Sequence, residues 1–447
     1  MRREKPGMTL RDDIVRAGLR LLRSSGRYCD QLLRGPEPPT ATLERLLAHA
    51  ARSVPYYRER LSLDGDLLAQ FKRLPPLTKD QIRVHFEDLK SEDLGRRRWV
   101  TNSSGGSTGR PITLVQDRDA YDWRRATVHY YFRRFLDADD VMDPKVVLWG
   151  SERDIFRQRD PKRRLYDWAT RTTFLNSFRM SDARMADYVA AIDAARPAYV
   201  QGYAGSLYEL ARFATAKGLG IRPPRFVQSA AEALRPHMRE VVERAFGCRA
   251  YDFYGSREVG PIAGEASDGK LYVFDFHNHV EIVDARGEPV PPGGEGRVLV
   301  TTLHTYSMPL LRYDIGDTAV RSRQPGALFE LPTLDRVTGR VTDHFVTATG
   351  ELVHGEYLTH LFYFQDWLKE FQVLQTEVDR VEIWFVPVPG TALRAPARAA
   401  LEAKIRLVLG ERCRIAWRPV DEVPRTPQGK LLYTRSLVSR KPEWDRA

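Results

Sequence analysis

The residues of this chain best suited to chemistry are gathered in TNSSGGSTGRP, Thr101 to Pro111. Five hydroxyl side chains and three glycines fall within nine residues, and Arg110 with Pro111 closes the segment. Ser103, Ser104, Ser107 and Thr108 can donate hydrogen bonds to phosphate oxygens. Gly105, Gly106 and Gly109 let backbone N–H groups approach an anion closely. A nucleotide phosphate suits such a loop; a plain surface turn is the bland alternative. No lysine follows Gly109 and a strand rather than a helix is expected next, which argues against a Walker-type loop.

Four later segments carry complementary groups. In YDFYGSREVG, Tyr251 to Gly260, the rings of Tyr251, Phe253 and Tyr254 could stack on a base. Glu258 could hold Mg²⁺ against phosphate oxygens, or simply pair with Arg257 or Arg249. In LRYDIGD, Leu311 to Asp317, the carboxylates of Asp314 and Asp317 sit on an expected turn between strands. A carboxylate there can accept both hydroxyls of a ribose, although Asp and Gly are also ordinary turn formers. Gly339-Arg340 offers a guanidinium at a domain boundary. PRTPQGK, Pro424 to Lys430, offers the ammonium of Lys430 as a point charge for a phosphate. Solvated surface positions are the alternative for both.

The elements that must position these groups follow from periodicity and turn chemistry. Apolar residues recur at helical spacing over residues 9–35, and a second helical stretch covers 41–60. LPPLTKD, Leu74 to Asp80, reads as a turn into a helix with Thr78 as N-cap and Gln81 three residues on. RRWVTN from Arg97 ends a strand, ITLVQ from Ile112 begins another, and 119–136 is helical. Strands at VVLW (from Val146), PAYV (from Pro197) and FVQS (from Phe226) alternate with helices over 181–195, 205–217 and 232–246, an α/β pattern. Beyond residue 270, LYVFDF, VEIVD and RVLVTT are separated by turns such as PPGGEG, which predicts a smaller barrel or sheet packed on the α/β body. VEIWFV, a helix over 395–409 and CRIAW predict a separate α+β unit at the C-terminal end.

Composition narrows the partners. At 447 residues the chain exceeds one hydrophobic core, and 42% of it is apolar. No run of eighteen apolar residues exists, so no membrane span is expected, and MRREKPGM lacks an apolar signal core. Cys29, Cys248 and Cys413 lie far apart, which fits a reducing cytoplasm and no disulfide framework. The net charge is +11, but the basic clusters at Arg96–Arg98, Arg133–Arg134 and Lys162–Arg164 come with no nucleic-acid-binding signature. Polyanionic small molecules explain the surplus without a nucleic acid.

Together and in this order, the five segments resemble the adenylate-forming (ANL) ligase superfamily of acyl-CoA synthetases, adenylation domains and luciferases. SSGGSTGRP resembles its phosphate loop, and YGSRE from Tyr254 its Tyr-Gly-x-x-Glu element. YDIGD from Tyr313 resembles its Tyr-x-x-Gly-Asp element, Gly339-Arg340 its hinge, and PRTPQGK its terminal Gly-Lys motif. YYRER from Tyr56, LPPLTKD and DFYGSREVG are similar to the phenylacetate–CoA ligase group, with its CapK-like and coenzyme F-390 synthetase-like members. The resemblance implies a large N-terminal α/β domain with a small β-rich subdomain over residues 1–340, and a small mobile α+β domain over 341–447 rotating near Thr342.

The same resemblance implies the roles. Ser103, Ser104, Gly105, Gly106, Ser107, Thr108 and Gly109 would cradle the ATP phosphates, and Glu258 would coordinate Mg²⁺. Ala230, Ala231 and Glu232 would line the adenine, with Tyr251, Asp252, Phe253, Tyr254, Gly255 and Ser256 across it. Asp317 would bind the ribose beside Arg340, and Lys430 would bridge the carboxylate and the α-phosphate. The implied reaction is AMP-forming activation of a carboxylic acid, by default aromatic, with transfer of the acyl group to a thiol, coenzyme A first. Alternatives are transfer to an amine or a carrier protein, adenylyl transfer to a hydroxyl, and a non-catalytic scaffold. A cytoplasmic homodimer is the accompanying expectation. The chain departs from the family at Thr342, often acidic or lysine there, and at Ala231, often glycine. It also departs at Ala266, where a cysteine is common; His277 and His279 remain as a weak metal signal.

Overall fold

A computed structural model describes residues 25–103, 112–150, 161–177, 179–338, 344–362, 365, 367–424 and 432–438. The hydroxyl loop beyond Ser103, Arg340, Thr342 and Lys430 lie outside the described residues, as does the first part of the helix expected over 9–35. Its remainder is α1, Ser25–Arg34.

The N-terminal helices form because apolar residues fall on one face. In α2, Pro39–Ser53, that face is Leu43, Leu46, Leu47 and Ala50, all buried. The helical stretch expected over 41–60 breaks at Val54, which is extended before Pro55. Helix α3, Leu67–Arg73, is capped by the Asp66 carboxylate. Helix α4, Lys79–Val84, starts with the full capping box of Thr78 and Gln81, as the local spacing predicts. Strands β1, Trp99–Ser103, and β2, Thr113–Asp117, pair antiparallel with Ser103 opposite Thr113. This hairpin carries the hydroxyl loop at its tip, and α5, Arg118–Phe135, follows directly.

The α/β body consists of β3 (Lys145–Trp149), β4 (Thr172–Asn176), β6 (Tyr199–Tyr203), β7 (Phe226–Ala230) and β8 (Ala250–Ser256), all parallel. A two-residue strand β5, Arg179–Met180, lies outside it. Helices α6 (Pro161–Ala169), α7 (Asp182–Ala195), α8 (Ala204–Ala216) and α9 (Pro236–Phe246) provide the crossovers. Helix α9 starts later than the 232–246 reading, because Pro236 suits the first helical turn and nothing earlier in it.

The β-rich part is not a separate sheet. Strands β9 (Gly260–Glu265), β10 (Leu271–Val273), β11 (Asn278–Val283), β12 (Glu295–Thr302), β13 (Tyr313–Arg321) and β14 (Thr333–Thr338) continue the body sheet. Among the described residues the order is β11-β12-β13-β14-β10-β9-β8-β7-β6-β3-β4. The join is β9, which folds back antiparallel on β8. Gly260 makes that reversal at φ +77°, and a Cβ there would lie 2.8 Å from Cγ of Arg124. All six residues of β9 are buried, so GPIAGE shows no alternation and does not read as a strand.

A hairpin of β15 (His344–Val346) and β16 (Leu352–His354) leads to α10, Gly355–Phe362. The C-terminal sheet is β17 (Leu368–Glu377), β18 (Arg380–Pro387), β19 (Arg414–Pro419) and β20 (Thr434–Ser436), with α11 over Ala395–Leu409. Its core contains Phe371, Val373, Ile383 and Ile405. The hairpin ties the two parts: β16 pairs with β5, and Val346 and Leu352 pack in the body core with Met180 and Leu207.

Candidate active site

Glu258 lies in the turn between β8 and β9 and is 5% exposed. Its carboxylate Oε1 is 3.6 Å from Nζ of Lys79 and accepts from the Tyr313 hydroxyl at 3.5 Å. Lys79 is itself only 11% exposed along its side chain. It is delivered by LPPLTKD: Leu77 N–H donates to the Arg312 carbonyl at 2.9 Å, and the Leu77 carbonyl accepts from Asp314 N–H at 3.0 Å. That stretch thus lies beside the start of β13 and brings the first residue of α4 onto Glu258. Behind it, the buried Arg312 has φ +52°. Its guanidinium donates to Glu281 Oε2 at 3.1 Å and to the carbonyls of Lys72, Leu74 and Gly287 at 2.9, 2.5 and 2.8 Å. These contacts offset the cost of burying its charge.

The main chain of the same turn is held from the other side. Gln116 Nε2 donates to the Glu258 carbonyl at 2.8 Å, and Asn102 Nδ2 donates to the Arg257 carbonyl at 3.1 Å. Asn102 and Gln116 are also bonded to each other at 3.1 Å. The hairpin leading to Ser103 and the turn bearing Glu258 therefore form one hydrogen-bonded unit. One carboxylate tied to a hairpin that leads into a hydroxyl-rich segment suits Mg²⁺, which keeps waters and takes further ligands from substrate phosphates. Among the described residues no group of three or more His, Cys, Asp or Glu side chains is arranged to hold a metal alone. The donor set fits a cation shared with a nucleotide.

Asp317 on β13 accepts from the Tyr254 hydroxyl at 2.9 Å, joining two of the sequence motifs. Asp314 instead pairs with Arg297 at 2.8 Å and accepts from Gly316 N–H at 3.0 Å, which is turn and strand chemistry. Gly255 and Ser256 lie at the carboxyl end of β8 with Tyr254. Tyr251 lies at its amino end, edge-on to Phe226 and under the Arg249 guanidinium. Phe253 packs on Tyr131 and Phe274 in the core. Asp252 is partly buried, and its pKa is pushed up to about 7 by withdrawal from water and then by the Glu265 charge, with Arg239 opposing. Of the β8 segment, only Tyr254 to Ser256 share the end of the sheet that bears Glu258.

The parallel strands end beside that turn, the edge at which open α/β sheets receive ligands. Ala230 closes β7, and Ala231 is left-handed at φ +68°, a conformation that favours the glycine common in the family. Glu232 turns back, and its Oε2 accepts from Gly205 N–H at 2.9 Å at the start of α8. A Cβ at Gly205 would lie 2.6 Å from Cε1 of His344 and 3.1 Å from Glu232 Oε2, so the hairpin of the C-terminal part docks where only glycine fits. Trp149 at the end of β3 stacks on Tyr203 at the end of β6, with ring centroids 4.1 Å apart.

The fold and motifs have counterparts among known proteins. The CapK C-terminal domain family matches residues 345–436. Protein CapK of Staphylococcus aureus is 22% identical over 417 residues, covering 91% of this chain and 90% of that protein. The phenylacetate-coenzyme A ligase of Escherichia coli is 34% identical over 122 residues, 26% of this chain and 27% of that enzyme. The structure of 2-hydroxyisobutyryl-CoA ligase with 2-HIB-AMP and CoA in the thioesterification state shares the fold, with TM-score 0.55 at 18% identity. It covers 89% of this chain and 90% of that one. This chain shares the fold of that CoA ligase, and its C-terminal part carries a CapK-type domain match.

By motif the sequence marks Glu258 and Asp317 but not what holds them. Lys79 is visible only as part of LPPLTKD, with no role. Asn102, Gln116 and Arg124 act on main-chain carbonyls, which carry no side-chain signature. Trp149 closes the expected strand VVLW, and Tyr203 falls between the strand and the helix expected there. Among the described residues no helix is long and apolar enough to cross a membrane.

Proposed function

We propose that this chain is an ATP-dependent, AMP-forming acid–thiol ligase. A carboxylic acid attacks the α-phosphate of ATP, forming the acyl-adenylate and releasing pyrophosphate. A thiol then attacks the acyl carbonyl and AMP leaves. Coenzyme A is the proposed thiol and an aromatic acid the proposed substrate. The phenylacetate and 2-hydroxyisobutyryl-CoA ligases to which the chain is similar support the first, and the phenylacetate ligases support the second.

The observation that carries this reading is the grip on Glu258: its carboxylate faces the Lys79 ammonium and its main chain is tied to the hydroxyl-loop hairpin. Both reactants of adenylation are anions, so the chain's task is to bring them together and hold the charge that develops. Mg²⁺ bound at Glu258 would neutralise phosphate charge. The hydroxyls from Ser103 to Thr108 would donate to the same phosphates. Tyr254 holds the Asp317 carboxylate, which would accept the ribose hydroxyls together with a contribution from Arg340. Lys430 would supply the cation for the attacking carboxylate. Residues 341–447 would form the mobile domain, and the β5–β16 pairing is the contact that any rotation must break.

Pyrophosphate exchange over a panel of aromatic and aliphatic acids, followed by mass spectrometry with coenzyme A, tests this. Exchange with an aromatic acid and formation of its CoA thioester are expected; no exchange with any acid would overturn the reading. Lys430→Ala should lower exchange by roughly 100-fold or more while transfer from preformed acyl-adenylate falls far less. Equal loss in both half-reactions would remove Lys430 from adenylation.

A further inference from the structure

Arg124 is a half-buried arginine of α5 that no motif singles out. Its Nη1 donates to the Arg257 carbonyl at 3.0 Å and its Nη2 to the Glu258 carbonyl. Among the described residues its hydrogen-bond acceptors are thus main-chain carbonyls and not a carboxylate. Withdrawal from water brings its pKa down to about 10, with the Glu258 charge opposing. A guanidinium placed this way pays for desolvation without an ion pair, which calls for a reason other than bulk stability.

The surroundings supply one. The Arg124 stem fills the space that a Cβ at position 260 would occupy, 2.8 Å from its Cγ and 3.1 Å from its Cδ and Nε. The turn after Glu258 is therefore shaped around this side chain. Two donors, Gln116 and Arg124, converge on the single carbonyl of Glu258 and two, Asn102 and Arg124, on that of Arg257. At the other end of the same residue, Lys79 and Tyr313 meet the carboxylate. With both peptide oxygens occupied, the turn cannot rotate them toward a bound cation, and the carboxylate is left as its oxygen donor for one.

We infer that Arg124 is a positioning residue: it clamps the 257–258 main chain to α5, reinforcing the ties that Asn102 and Gln116 make to the hairpin, and so presents the Glu258 carboxylate to a metal–nucleotide ligand. This rests on the reading of Glu258 as the Mg²⁺ carboxylate. Arg124→Met keeps the stem over Gly260 and removes the donors; Arg124→Lys keeps a cation with a single donor point. Two readouts are used: ATP binding by calorimetry across a Mg²⁺ series, and the Mg²⁺ dependence of pyrophosphate exchange. In Arg124→Met, half-saturating Mg²⁺ should rise by roughly 10-fold or more, the range for removing a partner that orients a metal ligand. Binding of ATP in EDTA and KM for the acid should change by less than about 2-fold, because the clamp acts through the metal carboxylate alone. Arg124→Lys should recover part of the shift. In a Glu258→Gln background, Arg124→Met should add nothing to the Mg²⁺ dependence. If Arg124→Met does not fold, Gln116→Met removes a donor from the same carbonyl and should shift Mg²⁺ in the same direction by less. A normal Mg²⁺ dependence in the variants, or an undiminished effect of Arg124→Met without the Glu258 carboxylate, overturns the inference. Loss of exchange for every acid in the unaltered protein would sink the ligase reading instead, and calorimetry would still decide the role of Arg124.

Discussion

Two carboxylates flank one strand and are managed in opposite ways. Glu258, just past the carboxyl end of β8, is met by an ammonium and a phenol, and its main chain is held by side chains of β1, β2 and α5. Asp252, near the amino end, shares a buried corner with Glu265, whose Oε2 accepts from Asp252 N–H at 2.8 Å and pairs with Arg239 at 2.7 Å. One arginine faces two acids there, and the Asp252 proton is retained to about pH 7. The Glu258 carboxylate is oriented by an ammonium, a phenol and donors to its backbone, the arrangement that the proposed cation ligand requires. A carboxylate that only completes a core can take up a proton instead.

The largest expected effect tests the first half of that contrast. Glu258→Gln is isosteric and keeps the main-chain clamps, so the fold should persist with a loss of up to about 3 kcal/mol from removing the charge opposite Lys79. ATP–pyrophosphate exchange should nonetheless fall by roughly 100-fold, with the Mg²⁺ dependence flattened. Unchanged Mg²⁺ dependence would end the metal assignment and leave Glu258 as a structural ion pair with Lys79.

The second test bears on the other end of the strand. Asp252 binds its proton more tightly folded than unfolded, so between about pH 4 and about pH 7 the folded state holds more protons. Wild-type stability therefore declines as pH rises through that window and levels off above it. Asp252→Asn retains an acceptor for Phe253 N–H and removes the titration. Its stability should hold where the wild type declines, giving an advantage on the order of 2 kcal/mol at pH 8, read from urea midpoints at pH 5 and pH 8. Its exchange activity should be close to normal. A large loss of activity would restore Asp252 to the nucleotide site and dissolve the contrast.

A smaller effect is expected at the neighbouring strand end. Ala231→Gly removes the strain of a left-handed alanine while adding chain entropy, for a net gain of about 0.5–1 kcal/mol in thermal or urea unfolding. A loss of stability would show that the Ala231 methyl packs usefully enough to outweigh its backbone.

Legibility in the sequence followed the range of the interaction. The capping box at Thr78 and the β1–β2 hairpin were readable because their partners lie a few residues away. Strand β9 was not, because burial on both faces erases alternation, and so the single continuous sheet was expected as two parts. At the site, Glu258 and Asp317 stood out by motif. Lys79 did not, since nothing local marks a lysine at a helix start as buried against a carboxylate far along the chain. Arg124 was least visible of all: its acceptors are carbonyls, which every residue possesses.

The order and chemistry of the polar motifs, the α/β alternation and the local caps are properties of this sequence alone, since each depends on residue type and short spacing. Tertiary structure decided that Asp252 retains its proton to about pH 7, and that Lys79 meets the Glu258 carboxylate while Arg124 holds its carbonyl. It also decided that Phe253 packs in the core while Tyr254 reaches Asp317. The reason is physical: ionisation, burial and backbone hydrogen bonding depend on distance through space, and only the folded chain sets those distances.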